Sequence, residues 1–205
     1  AEGLLRRVRG GGSVEPDKIP FEEVRRQYRQ EKKAIATRAA ELVSDGDVVL
    51  IDIGTTTALL ARQLRGRRIT VITSSLAVID ELRDDETVEL VVLGGVVRKN
   101  YQSMVGVLTE QALAQLHATI CFLGTSGIRP DGTVTDTTGI EVPAKRAMIA
   151  SSQQVVVLAG SDKFPGAGLL TVCGPEAITC VVTNADSDAA TLAALREAKV
   201  EVLTA

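Results

Sequence analysis

The sequence predicts an α/β protein built on a parallel sheet, and three observations carry that prediction. After Gly46, short Val/Ile/Leu runs alternate with segments whose apolar residues recur at helical spacing, which is the pattern of βαβ units. The first apolar run passes directly into Asp52-Ile53-Gly54-Thr55-Thr56-Thr57, a carboxylate, a glycine and three hydroxyls. Most later strand candidates also end in glycine or polar residues, as ligand-binding strand ends in open α/β sheets do. With 205 residues, 45% of them hydrophobic, the chain suits one domain, or one domain plus an appendage, and can bury a full core.

Residues 1–20 do not read as core. Leu4, Leu5 and Val8 lie among Arg6, Arg7 and Arg9, then Gly10-Gly11-Gly12 breaks the chain and Pro16 and Pro20 follow. This stretch reads as a linker with the end of something in front of it. A helix is expected from Phe21, just after Pro20, with Phe21, Val24, Tyr28, Ile35 and Leu42 on one face and Asp45-Gly46 as its stop. Its other face is Arg25, Arg26, Arg29, Lys32 and Lys33. Such a basic run ordinarily marks a solvated face, and DNA contact is the weaker alternative.

Strands are expected at 47–53, 69–73, 88–93, 119–124, 155–159, 180–184 and 200–203, with helices at 55–65, 75–83, 106–117, 139–152 and 188–198. Segments 94–105 and 160–175 interrupt the rhythm after strands, where site loops belong.

Composition narrows the function. Aromatic residues make up 2% of the chain and Trp is absent, which argues against stacking platforms for single-stranded nucleic acid. The net charge of −3 argues against a general polyanion binder. Cys121, Cys173 and Cys180 show no metal or redox spacing and are expected to be buried thiols. The single histidine, His117, cannot build a histidine metal site and reads as a helix-end residue. No secretion signal or bilayer-spanning run stands out, so the cytoplasm is the expected compartment.

The strand ends carry the candidate site. A helix starting at Thr55 would offer first-turn amides and a positive dipole end, Gly54 would let an anion approach, and the hydroxyls would add donors. No Gly-Lys-Ser/Thr follows, so this is not a Walker loop. Thr55 as a simple N-cap is the alternative. Further along come Thr73-Ser74-Ser75, Gly94-Gly95 with Arg98, Gly124-Thr125-Ser126-Gly127 and Gly160-Ser161-Asp162-Lys163. Ser74 and Ser75 have a competing reading as helix caps, and the glycines as turn formers. Together these groups suit a polyhydroxylated anion such as a sugar phosphate. Asp52, Asp136, Glu141 and Asp162 are the nearby carboxylates, none of which stands out as a tuned base. Lys145 and Arg146 lie on the following helix, as anion ligands or as plain surface charges.

These residues together resemble the DeoR family of bacterial sugar-responsive transcription regulators, and specifically its effector-binding domain, over nearly the full chain. The resemblance rests on Phe21-Glu22-Glu23 with Glu31 to Ala36, the Asp-x-Gly-Thr-Thr-Thr at 52–57, Thr73-Ser74-Ser75, Leu93-Gly94-Gly95, Lys145 to Ile149 and Asp162-Lys163-Phe164. It implies a Rossmann-like three-layer αβα core with a small subdomain, similar to ribose phosphate isomerase and the CoA transferases. It also implies a non-catalytic sensor of a phosphorylated sugar, homo-oligomeric, using neither cofactor nor metal. Operator DNA would be bound by a winged helix-turn-helix ahead of residues 1–20, which look like that head's last wing strand and linker. Residues 21–205 would then be the effector-binding domain. The implied ligand contacts are Asp52, Gly54, Thr55, Thr56, Thr57, Thr73, Ser74, Ser75, Gly94, Gly95, Arg98, Gly127, Lys145 and Lys163. The stretch Asp136 to Ala144 departs from the family's usual acidic run, leaving open the roles of Asp136 and Glu141. A sugar phosphate isomerase is the rival reading. Against it, Gly124 to Gly127 lacks the acids of the corresponding isomerase motif.

Overall fold

A computed structural model of the chain describes residues 5–8, 11–14, 20–166 and 168–205. The rest of the expected linker, 1–4, 9–10 and 15–19, lies outside the described residues. Strands β1 (Leu5–Val8) and β2 (Gly11–Val14) pair antiparallel. The glycine run therefore does not simply break the chain: Gly11 and Gly12 stand opposite Val8 and Arg7 in the ladder.

The single helix expected from Phe21 is two helices, α1 (Phe21–Arg26) and α2 (Arg29–Ala40). Between them Gln27 is extended and Tyr28 takes a left-handed conformation at φ 51°. For a residue with a Cβ that conformation costs about 1–2 kcal/mol. The corner serves two burial sites at once. Phe21 packs on Ala58 and Ala77, while Ile35, Ala36 and Ala39 pack into the main core.

The chain then alternates as the apolar pattern requires. It runs through β3 (Val48–Ile51), α3 (Thr55–Gln63), β4 (Thr70–Thr73), α4 (Leu76–Leu82) and β5 (Glu89–Val92). The interrupting segment 94–105 is a hairpin, β6 (Val96–Arg98) and β7 (Ser103–Val105). Then come α5 (Val107–Leu113), β8 (Ala118–Gly124), β9 (Gly127–Ile128), β10 (Val134–Asp136), α6 (Val142–Ala150) and β11 (Ser152–Leu158). The last elements are β12 (Leu170–Cys173), β13 (Cys180–Thr183), α7 (Ala189–Glu197) and β14 (Glu201–Thr204). His117 is exposed in the α5–β8 connection. The three cysteines are free thiols, with Cys173 half-buried and the other two buried.

Seven strands form a wholly parallel sheet in the order β14-β13-β11-β8-β3-β4-β5. Strand residues alternate between its faces, as period-2 geometry demands. Val49, Ile51 and Phe122 join the core beneath α2, α3 and α4 with Ile35, Leu60 and Val78. Leu50, Cys121 and Leu123 join the core beneath α5, α6 and α7 with Leu113, Met148 and Leu195. The result is the expected three-layer αβα architecture. Two small antiparallel units sit beside it, the β6–β7 hairpin and the sheet β12-β10-β9.

Strand order reverses between β3 and β8. The chain builds outward from β3 through β4 to β5, then crosses to β8 and builds the other way. At such a reversal the connections leave to opposite faces and open a crevice at the carboxyl ends of the strands.

Candidate functional site

A cleft of about 420 Å3 opens at that reversal. Its wall nearest β3 is the start of α3. Gly54 precedes the helix at φ 139°, a backbone conformation that favours glycine, and a Cβ there would meet Thr57 Oγ1 at 3.3 Å. No side chain caps this helix, and the first-turn amides are beyond reach of any carbonyl of the same helix. Thr57 is fully buried and donates to Gly54 O at 2.9 Å, closing the turn from within. The partly exposed Thr56 remains in the cleft wall with Thr55.

Two lysines line the cleft together with this helix end. Lys163 follows β11 and pairs with Asp162 at 2.9 Å. Lys32 comes from α2, where the sequence reading places a solvated basic face. It is instead buried, its Nζ donating to Val24 O at 2.7 Å around the α1–α2 corner. Burial, and then the positive charge of Lys163, hold the Lys32 ammonium below its ordinary pKa. Two cations and a helix N-terminus thus converge on one volume, an arrangement that favours a bound anion.

The opposite wall is acidic and rich in hydroxyls: Asp136, Glu141, Ser126, Thr137 and Thr138 line it. Asp136 Oδ1 accepts from Ser126 Oγ at 3.2 Å and from the Thr138 amide at 2.9 Å. Ser103 Oγ at 2.9 Å and Arg98 both donate to Glu141 Oε1, joining the β6–β7 hairpin to this wall. Burial, and then the neighbouring Asp52, push the Glu141 carboxyl up, against Lys145, Ser103 and Arg98.

The floor is a buried ion pair. Lys145 Nζ donates to Asp52 Oδ2 and, at 2.8 Å, to Gly124 O, with Asp136 Oδ2 at 3.7 Å. Asp52 Oδ2 also accepts from the Gly124 amide at 3.0 Å, which ties the end of β3 to the end of β8. Burial disfavours the Lys145 ammonium, but Asp52, Asp136 and Glu141 together outweigh it and hold the pKa above its ordinary value. Burial also pushes the Asp52 carboxyl up, opposed chiefly by Lys145.

The expected contact residues therefore divide. Gly54, Thr55, Thr56, Thr57, Lys145 and Lys163 line the cleft. Asp52, expected to receive a sugar hydroxyl, lies beneath the floor at 1% exposure, engaged by Lys145. Thr73, Ser74, Ser75, Gly94, Gly95, Arg98 and Gly127 are not among the lining residues. Their chemistry is used within the fold. Thr73 Oγ1 donates to Ile51 O, Ser74 O accepts from the Met104 amide, and Ser75 Oγ caps α4 by accepting from the Val78 amide. Gly94 O accepts from Thr109 Oγ1. A Cβ on Gly95 would come within 2.7 Å of Val105 O. Gly127 O accepts from Thr125 and Thr135. Arg98 pairs with Glu141. Among the cleft residues that sequence reasoning missed are Lys32, hidden in a basic run, and Tyr28, Tyr101, Thr137, Thr138 and Asn184, which carry no local motif.

The family model for the DeoR C terminal sensor domain matches residues 27–185. The chain belongs to this family. Among relatives of the sensor domain is the transcriptional repressor AccR of Agrobacterium fabrum, 33% identical over 188 residues, 89% of this chain and 72% of that protein. The HTH-type transcriptional regulator GolR of Listeria innocua is 28% identical over 89% of this chain and 73% of its own length. The glycerol-3-phosphate regulon repressor of Escherichia coli is 27% identical over 90% and 74%. Among solved structures, eIF2B beta of Chaetomium thermophilum has a TM-score of 0.54 at 19% identity, over 75% of this chain and 48% of that one. Ribose 5-phosphate isomerase A of Methanocaldococcus jannaschii has a TM-score of 0.50 at 19% identity, over 67% and 55%. These two share the fold. Among the described residues no helix is long and apolar enough to cross a membrane.

Glu141 gives the site a pH signature. Its pKa is raised on folding from an ordinary value of 4.5. In the window from 4.5 up to the folded value, the folded state holds a proton that the unfolded chain has lost. The contribution of Glu141 to stability therefore falls as pH rises through that window. Urea melts of wild type and Glu141→Gln at a series of pH values should show the variant with the flatter decline from pH 4.5 upward. A difference between the two that does not vary with pH would contradict this.

Proposed function

We propose that the cleft binds a phosphorylated sugar or sugar-pathway intermediate, and that its occupancy controls operator binding by a DNA-binding head joined through residues 1–20. The supporting observation is the two-sided cleft. Lys32, Lys163 and the uncapped start of α3 form one wall, and the carboxylate and hydroxyl wall of Asp136, Glu141, Ser126 and Thr137 faces it. The first wall suits a phosphate through charge and amide donors. The second suits sugar hydroxyls, which donate to carboxylates and exchange bonds with side-chain hydroxyls. The name of the glycerol-3-phosphate regulon relative is consistent with that ligand class.

The reading is of a sensor rather than an enzyme. An isomerase must move a proton and needs a carboxylate positioned to take it. Here Asp52 is held by Lys145, Asp136 by Ser126 and the Thr138 amide, and Glu141 by Arg98 and Ser103. Gly124 to Gly127 supplies hydroxyls in place of acids.

The test is a thermal-shift panel of sugar phosphates, each paired with its unphosphorylated sugar. A ligand that binds only the folded state raises the melting temperature by mass action, by about 2.7 kcal/mol of stability at a hundredfold excess over Kd. The expected result is a shift with one phosphorylated compound and none with its parent sugar. Equal shifts with both members of a pair would remove the phosphate from the reading. Turnover of the bound sugar phosphate would restore the isomerase.

A further inference from the structure

We infer that Lys32 couples the cleft to α1: an anion beside its ammonium holds the α1–α2 corner closed, and so fixes the direction in which the chain arrives at Pro20. The inference rests on the cleft binding an anion, as proposed above. Helix α1 has six residues, too few to persist without tertiary contacts. Its start is fixed by residues that do not line the cleft. Phe21 packs on Ala58 and Ala77, and the Phe21 amide donates to Asn100 O at 3.2 Å. Its other end is held by Lys32, whose Nζ donates to Val24 O at 2.7 Å. Val24 is third from the end of α1. The last four carbonyls of a helix lack partners within it, and a cation is favourable there. Two points of attachment set the axis of α1, whereas the first alone leaves it free to pivot.

Three observations make the second attachment depend on the cleft. First, Lys32 is 8% exposed and lines the cleft with Val24, Gln27 and Tyr28. An ammonium carries three donors, so it can serve Val24 O and a phosphate together. Second, burial and then the charge of Lys163 oppose the Lys32 ammonium, which offsets the gain from its bond to Val24 O. A phosphate would cancel that opposition and leave the bond in place. Third, the corner works against closure, because Tyr28 stands there at φ 51°, a left-handed conformation that residues with a Cβ rarely adopt. Helix α2 is anchored independently. Ile35, Ala36 and Ala39 lie in the main core, and Asn184 Nδ2 donates to Glu31 O at 3.4 Å. Opening the corner therefore moves α1. By linkage, a corner that an anion closes must in turn raise affinity for that anion when closed.

Limited trypsin digestion of the 205-residue chain tests the coupling. Arg26 and Arg29 flank the corner and are exposed, and cleavage there follows the population of the opened corner. The probe is inorganic phosphate at a concentration that saturates wild type in calorimetry, against chloride at the same ionic strength. Cleavage after Arg26 and Arg29 is expected to slow roughly tenfold or more. Cleavage after Arg68, which is exposed and does not line the cleft, should keep its rate. Phe21→Ala gives the reciprocal measurement. It loosens α1 from outside the cleft, so phosphate affinity should fall roughly tenfold while the melting transition stays cooperative. Phosphate that binds wild type without slowing cleavage at the corner, or that slows Arg68 equally, would overturn the inference and leave the anion cleft standing. So would Phe21→Ala binding phosphate as tightly as wild type. A wild type that binds no phosphate would overturn the inference and the cleft reading together.

Discussion

Replacing Lys145 with alanine is expected to destabilise the domain by about 3–5 kcal/mol, the range for removing one member of a buried ion pair. Lys145 is 3% exposed. Without it, the Asp52 carboxylate keeps only main-chain donors such as the Gly124 amide, and Asp136 loses its nearest cation. The ends of β3 and β8 would then repel a buried charge where they now share one bonded pair. Most single domains hold only 5–15 kcal/mol in total, so the variant should lose much of its cooperative unfolding transition. A second variant separates loss of charge balance from loss of packing. Lys145→Met with Asp52→Asn removes both charges, nearly preserves volume, and leaves an amide oxygen to accept from Gly124. It should recover most of the loss. Urea denaturation gives both numbers, and a Lys145→Ala cost below about 1 kcal/mol, the range of an exposed pair, would show that the pair is not buried in solution.

Replacing Lys32 with methionine should have the opposite profile, with little change in stability and a large loss of anion binding. The substitution takes a buried charge out of the folded state, a gain that offsets the lost bond to Val24 O. A charged hydrogen bond to a ligand phosphate contributes about 1.5–3 kcal/mol, so affinity for the phosphorylated compound that stabilises wild type should fall roughly ten- to a hundredfold. Calorimetric titration of the two proteins decides it. Unchanged affinity would place the phosphate away from Lys32 and leave α3 and Lys163 to hold it.

Lys32 also marks the boundary of what the sequence discloses. The alternation after Gly46 and the junction at Asp52 to Thr57 specify the parallel sheet and one wall of the cleft, because strand period and the start of a helix are local properties. Whether a lysine in a basic run points to water or into a cleft depends on the corner at Tyr28, and no glycine or proline marks that corner. The same limit explains Thr73, Ser74 and Ser75. Their hydroxyls and carbonyls are used by Ile51, Met104 and Val78, and a hydroxyl spent on backbone looks in sequence like one left for a ligand. Asp136 and Glu141 pose the converse problem. They fall in the stretch that departs from the family pattern, yet they supply the acidic wall.

The reversal of strand order between β3 and β8 has a mechanical consequence. The cleft is a seam. One flank is residues 20–63, which bring Lys32 and the start of α3, and the other is residues 118–184, which bring Lys163 and the acidic wall. A molecule lodged there must leave before the two flanks can part, so its binding energy is added to the opening of each. Amide hydrogens in β4, on one flank, and in β11, on the other, should then slow their exchange together when the cleft fills, although neither strand needs to move.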